Sequence, residues 1–461
     1  MERWLRKNTA FFIFFILISI VYLSSLLVHH DIWWDSAVFL GMGKYIYSFG
    51  SVGLWEASRP LLWPIVLGFY WKLGLNPILF GEITAILFSL GTVLLVYIIA
   101  SRLFDRKIAF IASFFLSLSQ TFFVFSNIMQ TEIPSTFFVL LGLYFFIRRL
   151  YNYSGLFLGI AFMTRFFQLF IAFPLFLLLL YLTARNKENV RAFLNFCVFF
   201  LIPVVPYLIF NYFLYGSLFY PFAVQAFMTK YTGWVFNQPL YFYFVSIVKE
   251  NFLAVFSILG LVFALRRYNF GRYALAFAFL GSFMLYNTAM HKEMRLLIPV
   301  LPLLYILASY GMVYFAGLLK KRRNLVLYSL LAVFFALSLP DLRFDSYEDG
   351  FDLFYEYSGE ADAGSLWISN PAFIAFSDKK ADELVYYPLY GSERIDQLER
   401  NIGNAGAVLI NTCDILPCPS HDEGCSKKHS DFINLLTETF SLARSAEKGS
   451  CKYYIFEKIY N

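Results

Sequence analysis

Long apolar segments recur along the first 340 residues of this chain and constrain its fold more than any other feature. A helix that crosses about 30 Å of hydrocarbon needs roughly 20 mainly apolar residues. The sequence therefore predicts a polytopic α-helical membrane protein with about eleven transmembrane helices. They are predicted at 10–28, 78–101, 108–128, 133–147, 192–213, 251–265, 273–289, 296–318 and 325–340, with two short ones inside 153–184.

The amino-acid composition agrees with a membrane protein. Apolar residues make up 59% of the 461 residues and charged residues 15%, whereas soluble domains average about 25% charged residues. These values exclude a water-soluble enzyme, a disordered chain and a protein that binds nucleic acid.

Basic residues indicate the orientation in the membrane. Residues 1–340 contain 26 Lys and Arg, of which 18 lie in alternate loops. The positive-inside rule places those loops and the N-terminus in the cytoplasm and residues 341–461 outside, in the plasma membrane or an equivalent membrane. The first apolar segment lacks a small-residue cleavage site, so we expect it to remain as an anchor.

The segment 60–75 is apolar but contains Pro64, Gly68 and Lys72. If this segment crossed the membrane, the basic residues after 101 would lie outside, and every later helix would have the opposite orientation. A helix lying in the outer interface keeps the charge pattern consistent. We therefore predict an interfacial helix at 60–75, directly after a long first outer loop at 29–59.

The chain changes character after Pro340. Residues 341–461 contain 21 acidic and 11 basic residues, which favours a soluble domain outside the membrane. Short β-type runs occur at 366–369, 407–411 and 452–456, and helical patterns occur near 394–402 and 430–439. This mixture predicts a small extracytoplasmic α/β domain.

Four of the five cysteines lie in this last domain: Cys413, Cys418, Cys425 and Cys451. An even number of cysteines in an oxidising compartment favours two disulfides, for which three pairings are possible. His421 and His429 lie between them, so a zinc site is the alternative.

The predicted first outer loop contains an acid at the lipid boundary. Trp33 and Trp34 favour the membrane interface, and Asp35 follows them directly. Partial desolvation of such an acid suits a general base, while the alternative is a helix N-cap. Glu56 and Arg59 close the same loop.

Two further ionisable residues stand at predicted helix ends. Glu132 begins a membrane helix, where an acid is also expected simply to cap the helix and interact with its dipole. Arg165 lies between two short helices, where a snorkelling anchor is the alternative.

The outer segment 291–295, with the sequence HKEMR, combines three potentially cationic groups with one acid. Arginine binds a phosphate bidentately and lysine binds it as a point charge. His291, Lys292 and Arg295 therefore indicate a phosphate site, and a charged turn without a ligand is the alternative.

Together these segments resemble the GT-C superfamily of membrane glycosyltransferases. WWDSAVFLGMGKYI is similar to the first-loop motif with its catalytic acid, and LWEASRPLLWPIVLGFYWKLG to the interfacial segment of the protein O-mannosyltransferase and aminoarabinose-transferase group. MQTEIPSTFFVLLGLYFF resembles the second-loop acid of that group. HKEMRLLIPVLP resembles the His-Lys-Glu-x-Arg-Phe loop of lipid-linked mannosyltransferases.

The sequence departs from those motifs at three positions. Ser36 follows Asp35 where the family often has a second acid, Leu61 replaces the second proline, and Leu296 replaces the phenylalanine. The missing acid leaves Asp35 as the candidate base of the loop, with Asp31 as its substitute. It also weakens the case for a divalent metal, so no metal or other cofactor is predicted.

The resemblance implies a GT-C catalytic domain at 1–340 that transfers a hexose or pentose from a polyprenyl-phosphate carrier, with inversion, at the outer face. The expected acceptors are a lipid-linked glycan, a protein or a polysaccharide. The expected catalytic residues are Asp35, Glu56 and Glu132, and those for the donor phosphate are Arg59, Arg165, His291, Lys292 and Arg295. A developing phosphate charge needs such preorganised cations.

Two other functions fit the composition. A transporter or flippase of lipid-linked sugars would place ionisable residues near the bilayer midplane, whereas here they cluster at one face. A non-catalytic scaffold with a sensing ectodomain would not need Asp35, Glu132 and Arg295 together.

Overall fold

The computed structural model describes residues 8–28, 32–266, 268–344, 354, 365–386, 391–415, 418 and 423–458. The chain divides into two compact units. The first comprises Met1–Val28, Glu82–Leu218 and Gln238–Asp345, and the second comprises His29–Gly81, Phe219–Asn237 and Ser346–Asn461. Asp31 and His421 lie outside the described residues.

The first unit consists of helices. Its α-helices in the described ranges are Thr9–Ser24, the part of Pro77–Leu103 from Glu82 onward, Arg106–Ser117, Gln120–Val124, Glu132–Ile147, Tyr151–Thr164, Leu169–Ala184, Val190–Tyr215, Phe242–Glu250, Phe256–Arg266, Phe270–Thr288, Leu301–Leu318 and Arg323–Ser338. They enclose one large apolar core rich in aromatic rings.

Six helices in the described part of the chain are long and apolar enough to cross a membrane. They are Thr9–Leu27, Pro77–Leu103, Phe166–Ala184, Val190–Tyr215, Leu301–Leu318 and Lys320–Asp341. Glu132–Ile147 and Phe252–Arg266 are apolar but shorter. The prediction of a polytopic helical membrane protein is confirmed, and several of the eleven predicted spans are helices shorter than a full crossing.

The predicted continuous span at 108–128 is wrong. The helix that begins at Arg106 ends at Ser117. Ser119 then caps a second, short helix, Gln120–Val124, by accepting a hydrogen bond from the backbone N–H of Phe122. The Glu250 carboxylate accepts hydrogen bonds from the Ser119 and Thr121 hydroxyls and from the Thr121 backbone N–H. This half-buried acid therefore binds three of the donor groups at the break.

The second unit contains a five-stranded mixed sheet in its described residues. Its strands are β1 Leu366–Ile368, β2 Ala381–Leu384, β3 Ala407–Asn411, β4 Phe440–Lys448 and β5 Cys451–Lys458, in the order β2-β1-β3-β5-β4. β1 pairs in parallel with β2 and β3, and β5 pairs antiparallel with β3 and β4. The helices Ala372–Phe376, Gly391–Asn401 and Glu423–Thr439 complete the predicted α/β domain.

Two helices from the predicted first loop and interfacial segment also belong to the second unit. They are Trp34–Tyr47 and Leu62–Lys72, and they cross where Gly43 meets Gly68. A Cβ atom at Gly43 would lie 2.5 Å from the Pro64 carbonyl oxygen, and one at Gly68 would lie 2.4 Å from that of Gly43. Only glycine permits this close approach.

Lys44 ties the helix Trp34–Tyr47 to the α/β domain. Its buried ammonium donates to the backbone carbonyl oxygens of Ile374, Ala375 and Ser377 at 2.9–3.0 Å and contacts Asp378 at 3.3 Å. Burial lowers the pKa of Lys44, against the opposing effect of Asp378. These acceptors lie at and just beyond the end of the helix Ala372–Phe376, where a cation is favoured by the helix dipole.

Gly53 joins the sheet edge beside β2. Its N–H donates to the Lys379 carbonyl at 2.9 Å, and its own carbonyl accepts from the Ala381 N–H at 2.8 Å. Its φ of +94° is a left-handed conformation that favours glycine. Together with Lys44, this pairing makes the segment after Trp33 one body with the α/β domain.

The four cysteines of the second unit form disulfides. Cys413 is bonded to Cys451, and Cys418 to Cys425. The first connects the segment just after β3 to the start of β5, and the second links Cys418 to Cys425 in the first turn of the helix Glu423–Thr439.

We expect non-reducing mass spectrometry to find these two linkages, and removal of Cys413–Cys451 to cost more stability than removal of Cys418–Cys425. The reason is that the linked residues are 38 apart in the first case and 7 in the second, and a longer closed loop restricts the unfolded chain more. A disulfide typically contributes about 2–4 kcal/mol. The difference in stability is measured by thermal unfolding of the full-length protein in which one cysteine pair at a time is replaced by serine. Four free thiols with bound zinc in the mass-spectrometry experiment would contradict the predicted disulfides.

Candidate functional site

Asp35 lies in an ion-pair network of the second unit. Its Oδ1 is 2.8 Å from Nη2 of Arg59, and Nε of Arg59 is 3.2 Å from Oε1 of Glu56. Ser58 donates a hydrogen bond to the same Glu56 oxygen at 2.8 Å. One guanidinium thus orients two carboxylates, using different nitrogen atoms for each.

The position of Asp35 differs from that of a helix cap. The N-cap of the helix Trp34–Tyr47 is Trp33, without a side-chain capping bond, and Asp35 is the second helical residue. Its carboxylate is 19% exposed, so a hydroxyl group can still approach it. Asp35 is therefore an acid in the first turn of the helix and not its N-cap.

Arg59 is held as a permanent cation. Burial acts against its charged form, but Glu56, Asp35 and Tyr386 outweigh burial and raise the pKa of Arg59 above its ordinary value. Its guanidinium also lies over the Phe39 ring, 5.3 Å from the centroid. The arginine that the sequence assigns to the donor phosphate is therefore bound to the two acids of its own loop.

Glu132 and Arg165 form a buried ion pair in the first unit. Nη1 of Arg165 is 2.9 Å from Oε1 of Glu132 and donates to the Thr131 hydroxyl at 2.9 Å. The Glu132 side chain is 2% exposed. Arg165 is the extended residue between the helix Tyr151–Thr164 and the turn Phe166–Gln168, and this break directs it toward the acid.

The segment 291–295 forms a second charged cluster in the first unit. Arg295 donates from Nε to Oε2 of Glu293 at 2.9 Å, and His291 contacts the other carboxylate oxygen. Burial tends to raise the pKa of Glu293, but the hydrogen bond of His291 and the charge of Arg295 bring it below its usual value. Lys292 is buried and donates to the Gln238 carbonyl at 2.9 Å.

Gln130 links the two charged clusters of the first unit, and the sequence offered no signal for this role. Its Oε1 accepts a hydrogen bond from Nη1 of Arg295 at 3.3 Å. Two residues later in the chain, Glu132 holds Arg165. The short segment 130–132 therefore positions both arginines.

The structure thus gathers the predicted residues into two groups. The second unit holds Asp35, Glu56 and Arg59. The first unit holds Glu132, Arg165, His291, Lys292 and Arg295. Within these groups Arg59 pairs with Asp35 and Glu56, and Arg165 pairs with Glu132. Lys292 instead donates to the carbonyl of Gln238, which belongs to neither group.

Comparison with known proteins identifies the fold. Residues 58–210 match the family described as dolichyl-phosphate-mannose-protein mannosyltransferase. None of the curated proteins matches the chain significantly. The matching stretch includes Arg59, Glu132 and Arg165.

Solved structures match over almost the whole chain. ArnT from Cupriavidus metallidurans bound to undecaprenyl phosphate is 12% identical with a TM-score of 0.67, and the match covers 98% of each chain. AglB, the oligosaccharyltransferase of Archaeoglobus fulgidus, in complex with an inhibitory peptide and a dolichol-phosphate, is 11% identical with a TM-score of 0.56, covering 88% of this chain and 70% of AglB.

A third structure is larger than this chain. The mycobacterial arabinofuranosyltransferase AftD is 12% identical with a TM-score of 0.52, and the match covers 99% of this chain and 41% of AftD. All three are glycosyltransferases of the GT-C class. The resemblance predicted from the four sequence motifs is confirmed, and this chain has the GT-C glycosyltransferase fold.

Proposed function

We propose that the protein is a membrane glycosyltransferase that moves a monosaccharide from a polyprenyl-phosphate carrier to a hydroxyl group of an acceptor. The observation that carries the proposal is the accessible carboxylate of Asp35, held by Arg59 at 2.8 Å within the GT-C fold. The mannosyltransferase family match at 58–210 and the undecaprenyl phosphate bound by ArnT support a lipid-phosphate donor.

The proposed chemistry is a single displacement at C1 of the sugar. Asp35 accepts the proton of the acceptor hydroxyl as the new C1–O bond forms. The bond between C1 and the phosphate oxygen breaks, and its electron pair leaves with the polyprenyl phosphate. Attack opposite the leaving group inverts the configuration at C1.

Two groups assist this step in the proposal. Arg59 orients the Asp35 carboxylate and Glu56 holds Arg59, so both are positioning residues. We assign Arg165, Arg295 and His291 to the charge of the leaving phosphate, because arranged cations stabilise such charge in the transition state. This division of roles needs neither a metal nor another cofactor.

The proposed site faces outward, with the N-terminus in the cytoplasm. We expect a cysteine introduced at Glu447 of β4 to react with an impermeant thiol reagent in intact cells. A cysteine introduced at Arg322, in the basic turn Lys320–Arg322, should react only after lysis. Labelling of position 322 in intact cells would overturn the orientation.

The function is tested with membranes containing the full-length protein and two radiolabelled donors, dolichyl-phosphate mannose and undecaprenyl-phosphate mannose. Label should pass into acceptor material in wild-type membranes and in the surface control Asp396→Asn, but not in Asp35→Asn. Movement of labelled lipid across the bilayer without covalent transfer would show a flippase and overturn the proposal, as would equal transfer by Asp35→Asn.

A further inference from the structure

An open cleft of about 690 Å³ lies entirely within the second unit. Its walls come from the segment 54–57, the helix Tyr220–Thr232, the strand β2 with Tyr386, and the helix Gly391–Asn401. Ligand clefts in proteins usually measure about 300–1,000 Å³. The cleft is therefore large enough for a ligand of a few linked rings.

The cleft opens beside the Asp35 network. Glu56 lines it, and the same carboxylate accepts from Arg59, whose other nitrogen is paired with Asp35. Tyr386 also lines it and contacts Trp34, the residue before Asp35, with ring centroids 5.7 Å apart. Through Glu56 and Arg59 the wall of the cleft is connected to Asp35, which does not itself line the cleft.

Two kinds of side chain on the walls bear on the ligand. Trp55, Tyr220 and Phe227 are aromatic residues of the lining, and Tyr386 is a fourth that is buried. Glu383, Arg394 and Gln397 form a connected polar group, in which Arg394 contacts Glu383 and donates to Oε1 of Gln397 at 2.9 Å. Because these polar groups hold one another, they are oriented before any ligand binds.

This combination matches the surface of a carbohydrate. The C–H faces of a sugar ring pack on aromatic rings, and neighbouring hydroxyl groups pair with carboxylate, amide and guanidinium groups that both donate and accept. Acidic and basic residues occur together on the walls, which disfavours an anionic ligand. Polar residues on the walls disfavour a lipid chain.

We propose that this cleft binds the acceptor of the transfer reaction and that the acceptor is a glycan, whose terminal sugar presents its hydroxyl group to Asp35. This inference rests on the proposed function for the identity of the bound sugar as an acceptor. Carbohydrate binding by the cleft itself is measurable without any donor.

The test uses saturation-transfer NMR on the full-length protein in lipid nanodiscs. The probes are maltose, α-1,2-mannobiose, N,N′-diacetylchitobiose and lactose, with the peptide Gly-Ser-Thr-Gly and inorganic phosphate as the competing classes. We expect at least one disaccharide to bind wild type. Trp55→Ala should weaken that binding about tenfold through loss of ring packing, and Gln397→Ala about fivefold through a lost hydrogen bond.

Glu399→Ala is the matched control for Gln397→Ala, because it lies on the same helix outside the cleft lining, and it should bind as wild type does. No disaccharide binding, binding of the peptide instead, or unchanged binding by both Trp55→Ala and Gln397→Ala would overturn the inference. Sugar binding without transfer from either labelled donor would contradict the proposed function and support the carbohydrate site. Transfer to a peptide without sugar binding would support the proposed function and contradict the carbohydrate site.

Discussion

Replacing Asp35 by asparagine is expected to lower the single-turnover transfer rate by about 10²–10⁴-fold, the usual contribution of a general base, while the donor lipid still binds. Asparagine keeps the size of the side chain and cannot take a proton. The contact with Arg59 also survives in part, because an amide oxygen accepts from a guanidinium. The measurements are donor binding and single-turnover transfer on the same preparation.

Arg59 and Arg295 provide the matched comparison. Arg59→Ala should lower the transfer rate with little effect on donor binding, because Arg59 is paired with Asp35 and Glu56. Arg295→Ala should weaken donor binding as well, because it removes a cation assigned to the phosphate. Near wild-type transfer by Asp35→Asn would remove Asp35 from the mechanism and direct attention to Glu56 or Glu132.

The helical fold was predictable because membrane insertion imposes a strong and local sequence signal. The lengths of the apolar segments predict spans at 10–28 and 192–213, and the helices Thr9–Leu27 and Val190–Tyr215 begin and end within two residues of these bounds. The break after Ser117 falls at the short polar run Ser119, Gln120 and Thr121, which a criterion of apolar length passes over because apolar residues flank it. What stabilises it is Glu250, more than 120 residues further along the chain.

The α/β domain shows the same limit. β1 and β3 are buried along their whole length, and their apolar runs predicted them. β4 is exposed at most positions and its sequence is largely polar, so the hydrophobic pattern does not predict a strand there. Its place in the sheet comes from pairing with β5, which composition does not encode.

The sequence predicts which residues belong to the candidate site, but not which residues they pair with. Acids and bases at helix ends and in predicted outer loops stand out in an apolar chain, which is why Asp35, Glu132 and Arg295 were identified. Their contacts depend on segments that are distant in sequence, such as Gln130 for Arg295. The paired state of Arg59 and Arg165 could only come from the structure.

The Glu132–Arg165 pair is expected to dominate the stability of the first unit around it. Removing one partner leaves the other charged and poorly hydrated, which typically costs about 3–5 kcal/mol for a buried pair. Glu132→Gln and Arg165→Met should each lower the thermal unfolding temperature of the full-length protein in detergent. The double variant should lose less than the two single losses combined, because neither charge is then left alone.

This cycle also separates a structural role of Arg165 from a role in binding phosphate. If Arg165 only balances Glu132, the double variant should regain both stability and donor binding relative to Arg165→Met. If Arg165 also contacts the donor phosphate, stability should recover while donor binding stays weak, since the cation is still missing. The role proposed for Arg165 requires the second result, because pairing with Glu132 accounts for the position of Arg165 without any contact to a leaving phosphate. Full recovery of donor binding in the double variant would assign the phosphate to Arg295 without Arg165.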